Sequence, residues 1–551
     1  MVVVVLRRRA LLLTPFLVLL ALGTVLTVLA WLAGPPPPPR IGWAGCSSQL
    51  IHRLFPGQEY TEAMLEQASE LAVQLEQGKL DYLVELGEPT PGLISWQLAS
   101  LVPVVVVPFW DSLVDLELES LIRLISTEPQ EVLVAEELAL DGYPWWEQPV
   151  PYLSAAEVVE ELQKGRGRLG IIPLQDRRPA VKVLTLDGID PRDPVAGRIT
   201  YPLTRRLFLS RRPKSLPELF RDWVQNWQGN AVHKLHLATQ ETTWANPWGQ
   251  QFQLLAVGDI MLNREVKKTG LEQGWEFIFS DTGPLLRSAE LTVANLESPI
   301  GSEGRFINMF QAPPKAVEGL AFAGVDVVSL ANNHALDYHH GGLLETMRLL
   351  REYGIDWVGA GRDLDEARAP VIREVDGITV GFVAYTEMWF VHAREPISWR
   401  ATENEPGVAP AELDYIVDDV SKLRELVDVV VVSIHWGREY VHEPTPEQRK
   451  LAQAAAAAGA DLVLGHHPHV LQGIEFYEGC VIAYSLGNFV FDLNLPETWE
   501  TILLACTIGP QGVLDITIYP AYIFGVQPKI LQGQHKEAVY RQIRQYSLEL
   551  E

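Results

Sequence analysis

His466, His467 and His469, set around Pro468, put three imidazoles within four residues. Packing seldom calls for so many, whereas a divalent cation does, because neutral imidazole nitrogen is among its commonest ligands. Other polar groups follow apolar runs in the same half of the chain. Asp259 comes after the run 252–257, Asn295 and Glu297 after 291–294, and Asn332, Asn333 and His334 after 325–330. His435 follows 427–434, and Asn488 comes shortly after 480–484. Singly, each has a plain explanation: a helix N-cap for Asp259, turns for Asn295, Glu297 and Asn488, a left-handed turn for Asn333 with His334, a packed ring for His435 beside Trp436. Together, imidazole, carboxylate and amide oxygen suit one or two divalent cations such as Mn, Fe, Zn or Mg. Two such cations activate a water molecule and clamp a phosphoryl group.

The runs that precede these residues are short and rich in Val, Ile and Leu, as strands buried on both faces are. Open α/β sheets bind ligands beyond the carboxyl ends of their strands. Six such strands therefore predict one shared site at one rim of a single sheet, within a domain spanning 250–540 and followed by a tail over 541–551. Residues 241–249 lack periodicity and include Pro247, which marks a linker. Upstream, strands are expected over 41–48, 80–84, 102–108 and 169–173, with helices over 60–77, 116–125 and 155–163. That alternation predicts a second α/β domain over 41–240 with a largely parallel sheet.

The chain has 551 residues and a formal net charge of −26, from 44 Lys+Arg against 70 Asp+Glu. So acidic a protein repels phosphate backbones, which argues against nucleic acid as a partner. An anionic polymer would be repelled too, unless a metal or a local basic patch intervened. The hydrophobic fraction of 47% is that of a folded protein, and three cysteines are too few for a disulfide framework. Arg7, Arg8 and Arg9 precede an uncharged stretch, 10–33, long enough for about 36 Å of helix against a hydrocarbon core of about 30 Å. The arginines should stay cytoplasmic and send the rest outside. Residues 1–40 are thus expected to be a cytoplasmic stub, a single transmembrane anchor and a stiff spacer of five prolines, with extracytoplasmic domains at the cell membrane. A cleaved signal peptide, or lipidation at Cys46, is the alternative.

In order and spacing, six motifs resemble those of the CapA-type capsule biosynthesis (poly-γ-glutamate synthesis) proteins of the calcineurin-like metallophosphatase superfamily. They run from Gly258 to Leu262, Ala294 to Glu297, Gly324 to His334 with Asp337, His435 to Gly437 with Glu439 and Tyr440, Gly465 to Gln472, and Tyr484 to Phe489. The resemblance implies a four-layer α/β/β/α metallophosphatase-like sandwich. It implies Asp259, Asn295, Glu297, Asn333, His435, His467 and His469 as metal ligands. His334 would polarise the substrate or protonate the leaving group, and Asp337 would orient it. Two positions depart from the pattern. Met261 stands where the superfamily has a histidine ligand, and Gln311 where an arginine is common in the branch.

Residues 41–240 resemble phosphate-type periplasmic solute-binding proteins, through 42–48, 102–108 with 116–126, and 200–208 with 216–227. Ser47 and Ser48 would then either hold a small anion at a helix N-terminus or simply cap that helix. The whole implies a membrane-anchored, metal-dependent hydrolase of a phosphoester or amide in capsule, poly-γ-glutamate or related surface-polymer biosynthesis. Its expected partners are the membrane, an anionic surface polymer or phosphoester, and polymer synthesis or export proteins. The alternative is a non-catalytic binding or assembly component with a structural or vestigial metal site.

Overall fold

The computed structural model describes residues 40–44, 61–63, 74–75, 77, 82–86, 89, 91, 93–138, 152–194, 197, 200–211, 249–307, 309–388, 390–392 and 396–550. The stretch 10–33, Cys46, Ser47, Ser48, the helix expected over 216–227 and linker residues 241–248 lie outside them. Among the described residues no helix is long and apolar enough to cross a membrane. The chain divides into two units, the second formed by Gln250–Glu551 together with Phe109–Asp111 and Arg177–Lys182.

In the first unit, strands Thr61–Ala63, Arg40–Ala44 and Tyr82–Leu86 run parallel, and Arg205–Arg211 returns antiparallel between Tyr82–Leu86 and Ile94–Leu101. Another sheet places Leu169–Pro173 antiparallel to Pro103–Pro108 and parallel to Val132–Ala135. Helices Leu118–Thr127 and Ala155–Gln163 accompany them, the latter opened by a Ser154/Glu157 capping box. The sheets are therefore mixed, not largely parallel, because strands return from far along the chain where local pattern gives no direction. The helical spacing over 60–77 also begins inside a strand, Thr61–Ala63, fixed by its pairing with Arg40–Ala44.

The second unit is built from fourteen principal strands, and its apolar runs decide its layers. Strands β1 (Phe252–Ile260), β2 (Leu291–Leu296), β3 (Val327–Ser329) and β4 (Asp356–Val358) lie side by side and parallel. Strands β5 (Val371–Val375), β6 (Ile378–Thr386), β7 (Val429–His435), β8 (Leu462–His466), β9 (Ile474–Tyr477) and β10 (Cys480–Ala483) make a second sheet in the order β5-β6-β7-β8-β10-β9. The first sheet is completed on the other side of β1 by β12 (Glu500–Gly509), β13 (Gly512–Phe524) and β14 (Gln527–Ile530), while β11 (Asn488–Val490) pairs with the end of β1. The six site-bearing strands are thus shared between two sheets, not set in one. Long-range pairing, which strand pattern does not encode, decides that division.

Alternate side chains tell the layers apart. Leu254, Ala256, Val429 and Val431 share one buried core between the sheets. Leu255 and Val257 face a second core with helices α1 (Arg264–Gln273), α2 (Val317–Ala323) and α3 (His339–Glu352). Val430, Val432 and Ile434 face a third with α4 (Leu413–Arg424) and α5 (Pro446–Ala457). The order is helix, sheet, sheet, helix. The residues expected to form a tail from 541 onward instead continue helix α6 (Gly533–Leu548), whose Val539 and Ile543 enter the core between the sheets. Phe109 and Trp110, early in the sequence, are buried in that same core beside Phe476 and Tyr540.

Candidate metal centre

Parallel register brings the polar residues level with one another. Asp259 near the end of β1 sits opposite Asn295 of β2 and Asn488 of β11, and His435 at the end of β7 sits opposite His466 at the end of β8. Two glycines permit the close approach this needs. A Cβ on Gly258 would lie 1.9 Å from the carbonyl oxygen of Gly487, and one on Gly465 would lie 1.9 Å from that of Tyr484. Beyond β8 the backbone is strained: His467 has φ 95° and His469 φ 60°, in the left-handed region that non-glycine residues avoid at a cost of about 1–2 kcal/mol each.

These elements gather Asp259, Asn295, Glu297, His435, His467 and His469 into one buried cluster. Asn295 donates from Nδ2 to Asp259 Oδ1 at 2.8 Å, and His435 Nδ1 is 3.3 Å from the same nitrogen. The backbone N–H of His467 donates to Asp259 Oδ2 at 3.2 Å. His466 Nδ1 lies 3.1 Å and His469 Nδ1 3.5 Å from the Asp259 carboxylate. Burial pushes that carboxyl upward, but the bonds and charges of His466 and His469 prevail and hold it well below the usual carboxylate range. Burial pushes Glu297 well above its usual range, and the Asp259 and Glu439 carboxylates add to the effect. Burial, reinforced by the neighbouring His467, keeps His435 well below the ordinary imidazole value; burial and His469 lower His467 to about 3.

Two acid–imidazole groups, each with ligand atoms within 4.8 Å of one another, share Glu297: one with His435 and His467, the other with Asp259 and His469. Asn333 adds an amide oxygen to the first, its Oδ1 lying 2.9 Å from His435 Nε2. Both oxygens of Glu297 and the Nδ1 of His467 are buried without a hydrogen-bond partner. A buried carboxyl with no donor is costly, and a cation removes that cost, so the residues fit a divalent ion. His469 is oriented by Asn488, whose Oδ1 is 2.8 Å from Nδ1, leaving Nε2 toward Glu297 at 3.9 Å. At the edge of the cluster, His334 Nδ1 lies 2.8 Å from Asp337 Oδ2, which also accepts the Phe310 N–H at 2.8 Å.

All nine residues to which the resemblance gives a role therefore converge, seven around the two groups and His334 with Asp337 beside them. Three others belong here to which it gives none, His466 among them although the histidine triplet had marked it as a candidate ligand. Exposed Glu439 forms a third candidate group with His467 and His469; its signal was its place two residues after Gly437. His466 faces Asp259. Asn332 is fully buried, donating to Asn295 Oδ1 at 3.1 Å and to the Leu296 carbonyl at 2.9 Å, so it anchors the loop that presents Asn333. Met261 packs in the apolar core beside helix α1 and supplies no ligand to the cluster.

Two facing sheets with a buried carboxylate–imidazole cluster at the carboxyl ends of parallel strands define an α/β protein with a candidate metal centre. Residues 253–493 match the family model described as "Bacterial capsule synthesis protein PGA_cap". The chain is 32% identical over 333 residues to the capsule biosynthesis protein CapA of Bacillus anthracis, covering 58% of this chain and 77% of that protein. It is 34% identical over 278 residues to the PGA biosynthesis protein CapA of Bacillus subtilis (strain 168), covering 49% and 72%. The chain belongs to this CapA family of capsule biosynthesis proteins. A solved ABC-type phosphate transport receptor from Vibrio cholerae is 16% identical, covering 36% of this chain and 98% of that one, with a TM-score of 0.27.

Proposed function

We propose that this protein is a membrane-anchored, extracytoplasmic hydrolase of the metallophosphatase type. It would act on a phosphoester or an amide, such as a γ-glutamyl bond, in the making of capsule, poly-γ-glutamate or a related anionic polymer, alongside polymer synthesis or export proteins. The anchor is inferred from the uncharged stretch 10–33 behind Arg7, Arg8 and Arg9. The hydrolase is inferred from one observation above all: Glu297, wholly buried, has no hydrogen-bond donor on either oxygen while imidazoles face it from two sides.

Asp259, Glu297, Asn333, His435, His467 and His469 would hold one or two divalent cations; Asn295, expected as a ligand, would instead position Asp259, because its Nδ2 donates to that carboxylate and its Oδ1 accepts from Asn332. Such an ion supplies Lewis acidity and positive charge beside an anionic substrate. The chain's own residues provide the proton chemistry. Asp337 accepts from Nδ1 of His334, which orients the ring; as the imidazolium, His334 can pass its Nε2 proton to the leaving group. Phe310, its ring centroid 4.3 Å from that of His334, screens the imidazole from water.

The full chain, purified in detergent, should contain stoichiometric transition metal by elemental analysis. The double variant His467→Ala/His469→Ala should lose it, and an unchanged metal content there would contradict the assignment. A second reading, a non-catalytic assembly component, is favoured by Met261, which sits in the core where the superfamily has a ligand. Turnover of phosphoester or γ-glutamyl substrates with added Mn separates the two. Activity abolished by Asp259→Asn would eliminate the assembly reading; no turnover of any substrate would favour it.

A further inference from the structure

One cation stands at the mouth of the cluster. Arg264 opens helix α1, and its guanidinium carbon lies 5.0 Å from the Phe310 ring centroid and 5.6 Å from that of Phe491. Those two rings rest on site histidines, Phe310 on His334 at 4.3 Å and Phe491 on His469 at 5.0 Å between centroids. Arg264 is thus one ring away from the His334–Asp337 pair and one ring away from His469 of the metal cluster. Its charge also reaches the phenol of Tyr440, beside Glu439.

The side chain is held, yet open. Asp492 pairs with Nη2 and also accepts the Glu265 N–H at 2.9 Å, tying the guanidinium to the start of the helix. Among the described residues no other acceptor meets the guanidinium, and 38% of the side chain is exposed. Its backbone φ of 49° is one that arginine seldom adopts. A planar fork held at one nitrogen, with its other N–H groups unpaired among the described residues, is suited to grip an oxyanion by two bonds.

The need for such a group is set by charge. A chain of net charge −26, with Asp259, Glu297 and Glu439 around the cluster, repels an anionic substrate. Gln311 supplies no cation, and its Nε2 is occupied in donating to the Glu303 carbonyl at 2.8 Å. The guanidinium next to Phe310, the neighbour of Gln311, comes instead from helix α1.

We propose that Arg264 is a specificity-determining residue that binds an oxyanion of the substrate, a phosphate or a carboxylate, next to His334 and His469. This rests on the hydrolase reading above. The test uses the full chain with Mn, titrated calorimetrically with inorganic phosphate and, separately, with a γ-linked glutamate oligopeptide. Arg264→Gly removes the fork at a φ that glycine adopts freely, and Arg264→Lys keeps the charge without the fork. The wild-type chain should bind at least one probe. Arg264→Gly should weaken that binding about ten- to a hundredfold, and Arg264→Lys by less. Which probe binds tells a phosphoryl from a carboxylate substrate. Equal affinity in wild type and Arg264→Gly, or no binding of either probe by wild type, overturns the inference. Metal content on the same samples keeps the two ideas apart: a metal-loaded Arg264→Gly chain with undiminished affinity refutes the role of Arg264 alone, whereas a metal-free wild type refutes the hydrolase reading.

Discussion

The buried imidazoles carry a pH dependence whose sign is fixed. An unfolded histidine titrates near 6.5, while His467 is lowered to about 3 and His435 well below its ordinary value. Between those limits the unfolded chain binds more protons, so stability present above about pH 6.5 is lost as the pH falls toward 3. Each ring contributes a slope of up to about 1.4 kcal/mol per pH unit. Glu297, whose carboxyl is raised, works the opposite way, so Glu297→Gln should steepen the loss on acidification. Urea unfolding of metal-free protein at pH 7, 6 and 5 measures this, and a flat profile in Glu297→Gln would contradict it. At this scale most of the site was legible, because Asp259, Glu297 and His435 each end an apolar run. Glu439 was not, since an exposed carboxylate after a glycine looks like any solvated side chain until the fold sets it against His467 and His469. Asn332 and Asn333 are adjacent amides that spacing does not tell apart; the family resemblance picks Asn333 as the ligand, and burial adds that Asn332 is the anchor.

The strands depend on close backbone contact as much as on side chains. Gly258→Ala would force a methyl against the Gly487 carbonyl, which is backbone and cannot rotate away. The expected cost is at or above the top of the range of about 1–3 kcal/mol typical of overpacking, with a loss of metal because Asp259 moves with the strand. Thermal melts and metal content of Gly258→Ala check this, and a wild-type melting temperature would show that the strand ends have room to part. The strands themselves were readable from Val- and Ile-rich runs such as 427–434. Their sharing between two sheets was not, because β1 and β7 look alike in sequence and differ only in their partners. Helix α5, opened by a Thr445/Gln448 capping box, was not among the expected elements, because the reading of this half followed the apolar strand runs.

Across the whole molecule, sequence order and spatial order diverge at Phe109 and Trp110. Both rings are buried in the core between the sheets of the second unit, 4.9 Å apart in an edge-to-face contact. Trp110→Ala should therefore weaken that unit by about 3–5 kcal/mol, although the residue lies well outside 250–551. Hydrogen exchange of the β6, β7 and β8 amides reports it, and unchanged protection would place the tryptophan outside the cooperative unit. No local pattern announced this, because an aromatic pair after the valine run 104–107 looks like the end of its own strand. The arrangement also governs how the protein is made. A ribosome releases Phe109 and Trp110 long before β6, β13 or α6 exist, so through most of translation two large apolar rings wait without the pocket that will receive them. The nascent polypeptide is consequently most prone to wrong association in its middle age, and a chaperone that shelters this short stretch would raise yield more than one acting on the finished C-terminus.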